Sequence, residues 1–330
     1  MLRNAQKILN QASPFLRNQV RTVSLSSSNL APEQPQIHEI KNVTIVGGGL
    51  MGGGIAQVAA QNDFNVTIVD AEDEYLQKCM VVIKKSLDRI TKKKFPNERK
   101  GSAKFVEETL SKIKTNTEVE VAVSNADLVI EAITENMEIK HKLFKAVDAA
   151  APEACIFASN TSSLSIADIS EATARKSKFG GLHFFNPVPM MKLVEVIRTD
   201  ETSDETYNAL FQFSKDLGKT PVMCRDTPGF VVNRLLVPYM MEAMRLVERG
   251  DASAEDIDVA MKLGAGYPMG PFELADYVGL DTTKFIIDGW HKKYPEMELF
   301  EPNDTLNKLV EDGKFGRKSG EGFYKYGSNK

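Results

Sequence analysis

The sequence predicts an α/β chain in which a doubly wound, mostly parallel sheet is followed by an all-α domain. Three observations predict it. Short β-branched runs alternate with helix-length stretches from Lys41 onward, a glycine-rich turn joins the first run to the first helix, and strand-like alternation stops after Asp226. A chain of 330 residues with 42% hydrophobic content also exceeds what one core usually fills, so two domains are expected.

The elements follow in order. Residues 43–46, 66–69, 127–130 and 155–158 are apolar enough to be buried parallel strands, and residues 50–61 and 137–150 have the length and composition of crossover helices. A long helix is expected after the second strand, with its second half, 84–100, crowded with Lys and Arg. Such a helix projects from the sheet. The segment Asp226-Thr227-Pro228-Gly229-Phe230 punctuates the chain, which sets the domain boundary near Thr227. Beyond it, residues 235–248, 254–263 and 272–290 read as helices. The expected organisation is therefore a leader at 1–30, a proline-containing lead-in at 31–40, a nucleotide-binding domain at 41–226 and a helical domain at 227–330.

The leader is distinct in composition. It carries Arg3, Lys7, Arg17 and Arg21 with no acid before Glu33, and residues 24–28 are serine-rich. Basic, acid-poor and serine-rich is the pattern of a mitochondrial presequence, with cleavage expected between Val23 and Ala31. The whole chain has a net charge of −4, so the remainder is more acidic still, which argues against generic nucleic-acid binding. Charges or prolines interrupt every apolar run before the roughly 20 residues a membrane span requires. Cys79, Cys155 and Cys224 are far apart and lack C-x-x-C spacing, so they read as ordinary thiols rather than metal ligands or disulfides.

Gly47-Gly48-Gly49-Leu50-Met51-Gly52 fits G-x-G-x-x-G between an expected strand and an expected helix. In this Rossmann-type setting Gly47 permits the tight turn, Gly49 lets a pyrophosphate approach the backbone, and Gly52 allows close packing of helix on strand. The helix start supplies free N–H groups to the phosphates. Asp70 ends the next strand, where its carboxylate can accept from both ribose hydroxyls and would repel a 2′-phosphate. The expected cofactor is NAD rather than NADP. Glu135 and Lys140 follow the strand at 127–130, on the edge where such sheets bind ligands, although each reads equally well as a solvated charge at a helix start.

Hydride transfer from an alcohol to NAD would need a base near the hydroxyl, and elimination among four histidines singles out one candidate, which taken alone reads rather as a satisfied core histidine. His38 sits in the lead-in, His141 between Lys140 and Lys142 on what reads as a solvated helix face, and His291 before Lys292 and Lys293. His183 alone ends an apolar run, in Gly181-Leu182-His183-Phe184-Phe185-Asn186-Pro187. Glu195 is a lone acid inside the apolar run 193–197, and a buried carboxylate without a partner is costly. If the two runs lie side by side, Glu195 reaches His183 and holds its tautomer. The hydroxyls of Asn160-Thr161-Ser162-Ser163-Leu164 either meet a substrate oxygen or cap the next helix.

These stretches together resemble the 3-hydroxyacyl-CoA dehydrogenases of the short-chain, mitochondrial type, from Lys41 to about Tyr326. The resemblance rests on the glycine motif, on S-N-T-S-S-L at 159–164, G-L-H-F-F-N-P-V-P at 181–189, D-T-P-G-F-V-V-N-R-L-L at 226–236 and G-Y-P-M-G-P-F-E-L at 266–274. It implies a projecting helical hairpin on the Rossmann-type domain, and a helical second domain that forms a homodimer and closes over substrate. It further implies that His183 is the base and Glu195 its partner, with Ser162 and Asn233 on the reacting substrate and Asn186 beside the nicotinamide. Gly47, Gly49, Leu50, Met51, Gly52, Asp70, Glu135, Lys140, Ser162 and Lys318 would contact NAD, and Ser86, Lys93 and Ser162 coenzyme A. The implied reaction takes a (S)-3-hydroxyacyl-CoA to the 3-oxoacyl-CoA in mitochondrial fatty-acid β-oxidation, in the matrix. One departure is Gly53, where the family often has alanine. Two alternatives share the fold: a dehydrogenase acting on a free hydroxy acid, which activity with acetoacetyl-CoA separates, and a non-catalytic NAD-binding protein, against which the full set His183, Glu195, Ser162 and Asn233 argues.

Overall fold

The computed structural model describes residues 39–96 and 98–327. The expected leader at 1–30 and all but the last two residues of the lead-in lie outside them. The described residues open with β1 (Asn42–Val46), α1 (Leu50–Gln61) and β2 (Asn65–Val69), then α2 (Asp73–Lys94), α3 (Arg99–Ser111) and β3 (Ile113–Asn116). Next come α4 (Val119–Val123), β4 (Leu128–Glu131), α5 (Met137–Ala150), β5 (Ile156–Ser159), α6 (Ile166–Ser170) and β6 (Phe179–Phe184). The sheet finishes with β7 (Leu193–Arg198), α7 (Asp204–Asp216) and β8 (Thr220–Arg225).

All eight strands form one sheet in the order β3-β2-β1-β4-β5-β6-β7-β8. Among the described strands of this sheet only β6 and β7 pair antiparallel, so the doubly wound parallel sheet carries a reversed edge pair. One core cluster packs α1, α2 and α7 on one face of the sheet, through Ile45, Ile55, Ile83, Leu182 and Phe213, and a second packs α5 and α6 on the other, through Phe144, Phe157 and Phe179. Strands buried on both faces need no alternation, which is why their sequences are continuous apolar runs.

Two strands escaped the sequence. β3 has one buried apolar residue, Ile113, ahead of exposed Lys114 and Thr115, and β8 is an edge strand with Pro221 near its start, as edge strands tolerate. Two expected helices are broken. The basic helix stops at Lys94 before Pro96, and the chain turns back as α3, giving a helical hairpin.

The second domain contains α8 (Val232–Glu248), α9 (Ala254–Gly264), α10 (Pro271–Val278), α11 (Leu280–Lys293) and α12 (Asp304–Glu311) around Met241, Phe272, Ile287 and Trp290. The helix expected at 272–290 is interrupted at Gly279, whose φ of +105° lies where side-chain-bearing residues are strained. Buried Asp258 and Asp276 fasten the chain end to this domain. Asp258 accepts the Tyr324 hydroxyl at 2.8 Å and the Phe272 N–H at 2.9 Å, and Asp276 accepts the Phe323 and Tyr324 N–H groups and the Tyr326 hydroxyl, all within 3.0 Å. No helix among the described residues is long and apolar enough to cross a membrane.

Candidate active site

The glycine turn is built as a cradle. Gly47 has φ +111°, and a Cβ there would stand 2.5 Å from the Ala132 carbonyl oxygen; one at Gly52 would stand 1.8 Å from the Gly47 oxygen. Neither position admits a side chain. At Gly49, by contrast, nothing lies within 4 Å of a built Cβ, so the backbone presents an open face. No side chain caps α1 and no acid stands in its first turn. Its first N–H groups and its positive end are therefore left for an anion. Asp70, after β2, accepts the Gly48 N–H through Oδ2 at 2.7 Å and so pins the turn. This donor set fits a dinucleotide.

His183 and Glu195 stand opposite one another in the antiparallel β6–β7 register. His183 Nδ1 lies 2.7 Å from Glu195 Oε2, and both side chains are buried. That contact leaves the histidine's Nε2 for another partner. Rings of Phe185 and Phe230 lie 4.5 and 5.6 Å from the imidazole and shield it from water. The second carboxylate oxygen of Glu195 points the other way and accepts the N–H groups of Val231 at 3.0 Å and Val232 at 2.8 Å, at the start of α8. One carboxylate thus joins the histidine to the first helix of the second domain.

A cavity of about 340 Å³ opens between these two centres, lined by Met51, Glu131, Glu135, Ser162, His183 and Asn186, with Asn233 entering from the second domain. The chain Asn160–Ser162 crosses its floor. Asn160 Oδ1 accepts the Phe184 N–H at 2.9 Å, Glu135 accepts the Ser162 N–H at 3.0 Å and the Thr161 hydroxyl at 2.9 Å, and Asn233 Nδ2 donates to the Ser162 carbonyl at 3.1 Å. Both Ser162 contacts use its backbone and neither uses its hydroxyl. The cap of α6 is Ser165, which accepts the Asp168 N–H, so the hydroxyls at 161–163 are not needed for capping.

Lys140, expected beside the cofactor or in solvent, is 1% exposed and lies beneath Glu135. Its Nζ is 2.6 Å from Glu131 Oε1 and 3.6 Å from Glu135 Oε2. Glu131 is 0% exposed and was missed in the sequence: it is an acid at the end of an apolar run, where Glu195 stands inside one. His141 is half-buried with Nε2 at 2.7 Å from the Asp168 carbonyl, not on a solvated face. Asp226 was also missed: it accepts the Ser165 hydroxyl and the Ile166 and Ala167 N–H groups within 3.1 Å, fastening the domain linker to α6. Half-buried Lys219, whose ammonium burial disfavours, braces the loop after His183 by donating to the carbonyls of Val188 and Met191.

Lys318 Nζ pairs with Asp281 Oδ1 at 2.5 Å, at a cleft that Asp281 shares with Glu135 and Ser162. Ser86 and Lys93 lie on α2, outside the residues that line the cavity beside His183. Lys93 is exposed and Ser86 half-buried. A separate pocket, between Leu164, Phe285, Trp290 and Lys293, sits behind the Ser162 segment and away from His183.

Residues 42–227 match the family 3-hydroxyacyl-CoA dehydrogenase, NAD binding domain, and residues 229–326 match the 3-hydroxyacyl-CoA dehydrogenase C-terminal domain. The human mitochondrial hydroxyacyl-coenzyme A dehydrogenase is 60% identical over 303 residues, covering 92% of this chain and 96% of that one. A probable 3-hydroxyacyl-CoA dehydrogenase of Caenorhabditis elegans is 61% identical over 291 residues, covering 88% and 94%. The crystal structure of (S)-3-hydroxybutyryl-CoA dehydrogenase from Ralstonia eutropha superposes with a TM-score of 0.83 at 42% identity, covering 88% of this chain and all of that one. With both parts of the described chain matched in order and the cradle, the histidine and its carboxylate in one cavity, the chain belongs to the 3-hydroxyacyl-CoA dehydrogenase family.

Proposed function

We propose that His183 is the general base, and Glu195 its partner, in the NAD-dependent oxidation of a (S)-3-hydroxyacyl-CoA to the 3-oxoacyl-CoA. The observation that carries this reading is the 2.7 Å contact between His183 Nδ1 and Glu195 Oε2, buried in a cavity next to the glycine cradle. Held along the glycine turn and Asp70, NAD would supply the acceptor for the hydride from C3. His183 Nε2 takes the hydroxyl proton, and the Glu195 carboxylate fixes the tautomer and stabilises the imidazolium. The Ser162 hydroxyl and the Asn233 amide orient the substrate oxygen; in the reverse direction His183 returns the proton. Gly47, Gly49, Leu50, Met51 and Gly52 hold the diphosphate, and Asp70 the adenosine ribose. Glu135, Asn186 and Lys318 complete the nicotinamide end. Lys140 acts through Glu135. Ser86 and Lys93, on the hairpin, meet the nucleotide of coenzyme A.

His183→Gln is expected to bind NADH as the parent does and to lose about 10²- to 10⁴-fold in turnover of acetoacetyl-CoA. A near-normal rate removes His183 from the mechanism, and turnover of free acetoacetate as fast as of the thioester removes the acyl-CoA assignment.

Relatives of the chain in human and pig are mitochondrial by name, and the basic, serine-rich residues 1–30 support import to the matrix. Amino-terminal sequencing of the organellar protein should begin between Val23 and Ala31. The second domain exposes Leu235, Val259, Leu263 and Tyr267 on α8, α9 and the turn that follows. Such apolar exposure supports a homodimer.

A further inference from the structure

Glu131 lines the reaction cavity yet has no part in the chemistry just described. It closes β4 and faces Ser159, which closes β5, in the parallel register. Both are wholly buried. Its Oε2 accepts the Ser159 hydroxyl at 2.6 Å, and Ser159 Oγ in turn accepts the Thr161 N–H at 3.2 Å. Its Oε1 accepts from Lys140 Nζ at 2.6 Å and from the Ile133 N–H at 2.8 Å. Lys140 reaches Glu135 at 3.6 Å, and Glu135 holds the Thr161 hydroxyl and the Ser162 N–H. Two paths therefore run from one carboxylate to one short turn, through Ser159 on one side and through Lys140 and Glu135 on the other.

The charges make the arrangement sensitive. Two carboxylates share one buried ammonium, unequally, and a buried charge that loses its partner seeks another rather than stand alone. Without the charge of Glu131, Glu135 is the one remaining acid near Lys140 among the described ion pairs. Closing that gap draws Glu135 off the Thr161 hydroxyl and the Ser162 N–H. Ser162 then shifts against His183, and a displacement of this kind between reacting groups slows a step out of proportion to its size.

We propose that Glu131 is a positioning residue for the reaction: through Ser159 and through Lys140–Glu135 it fixes the turn that presents the Ser162 hydroxyl to the substrate oxygen. The proposal rests on the reading of Ser162 as a substrate contact. It separates Glu131 from a residue that merely supports the sheet, because a sheet-supporting residue would slow the enzyme whether or not Ser162 has a hydroxyl.

The test is a double-mutant cycle on the single-turnover rate of NADH oxidation by acetoacetyl-CoA, with NADH affinity and melting temperature measured for each variant. Ser162→Ala should slow the step. Glu131→Gln should slow it about three- to tenfold, the worth of one ordinary hydrogen bond, and should add less than about twofold when combined with Ser162→Ala. Equal slowing by Glu131→Gln in both backgrounds overturns the positioning role and leaves the Ser162 reading intact. A Ser162→Ala enzyme at full rate overturns the Ser162 reading and the coupling with it. Should Glu131→Gln fail to fold, Ser159→Ala takes its place in the cycle: it cuts the first path without disturbing a charge, and the same two patterns decide.

Discussion

Burial keeps the three thiols out of ordinary cysteine chemistry. It pushes Cys79 up to about 11, with the Asp70 carboxylate adding to the effect, and pushes Cys155 and Cys224 up to about 12. The thiolate is the reactive form, so native protein at pH 8 should show no fast equivalent with a thiol reagent, and all three after denaturation. A fast native equivalent would mean that one of them is exposed and activated. Asp70→Ala is expected to weaken NAD more than NADP, because it removes both a ribose acceptor and a charge that repels a 2′-phosphate; equal losses would move that contact elsewhere. His183 and Glu195 were legible because an acid inside an apolar strand demands a partner. Glu131 and Lys140 were not, since both stand next to a strand or helix end, where sequence alone cannot tell a solvated charge from one folded inward. Lys140 goes inward because two acids, Glu131 and Glu135, stand within 4.0 Å of it.

Elements were legible wherever both faces are buried, as in β1, β2, β4 and β5, and illegible wherever an edge relaxes the pattern, as in β3 and β8. The expected strands at 127–130 and 155–158 fell one residue short of their ends, and the residues left off, Glu131 and Ser159, are hydrogen-bonded to each other. Helix ends marked by glycine or proline were visible as residues but not as breaks. Gly279 divides α10 from α11 by its backbone angle, which only the fold reveals. The turn from β1 to α1 invites a paired measurement. Gly52→Ala drives a Cβ to within 1.8 Å of the Gly47 oxygen, and overpacking of that kind costs about 1–3 kcal/mol, so its melting temperature should fall. Gly49→Ala meets nothing within 4 Å and should melt like the parent, while binding NADH more weakly because the new methyl occupies the approach to the diphosphate. Unchanged NADH affinity in Gly49→Ala would show that the diphosphate does not cross that glycine.

The molecule as a whole should be sensitive to alkali through its chain end. Burial, and next the hydrogen bond to Asp276, raise Tyr326 to about 12, and burial followed by the bond to Asp258 raises Tyr324 too. A folded value above the ordinary 10 means that the folded state holds these protons more tightly. The stability they contribute is whole below about pH 10 and is lost as pH rises toward about 12. Melting temperature should therefore fall through that window, and less steeply in Tyr326→Phe; an unchanged slope would remove Tyr326 from the cause. Glu195 links the two domains in another way. Its Oε2 meets His183 Nδ1 while its Oε1 holds the Val231 and Val232 amides, so a protonated His183 and the positive end of α8 would draw on a single negative charge. Linked equilibria are reciprocal: whatever hold the helix end takes from a protonated His183, protonation of His183 takes from the helix end by the same free energy. Exchange of the Val231 and Val232 amide hydrogens, faster with His183 protonated than neutral, measures that exchange of grip. With His183 as the base proposed above, proton uptake and the seating of the start of α8 would be a single balance seen from its two pans.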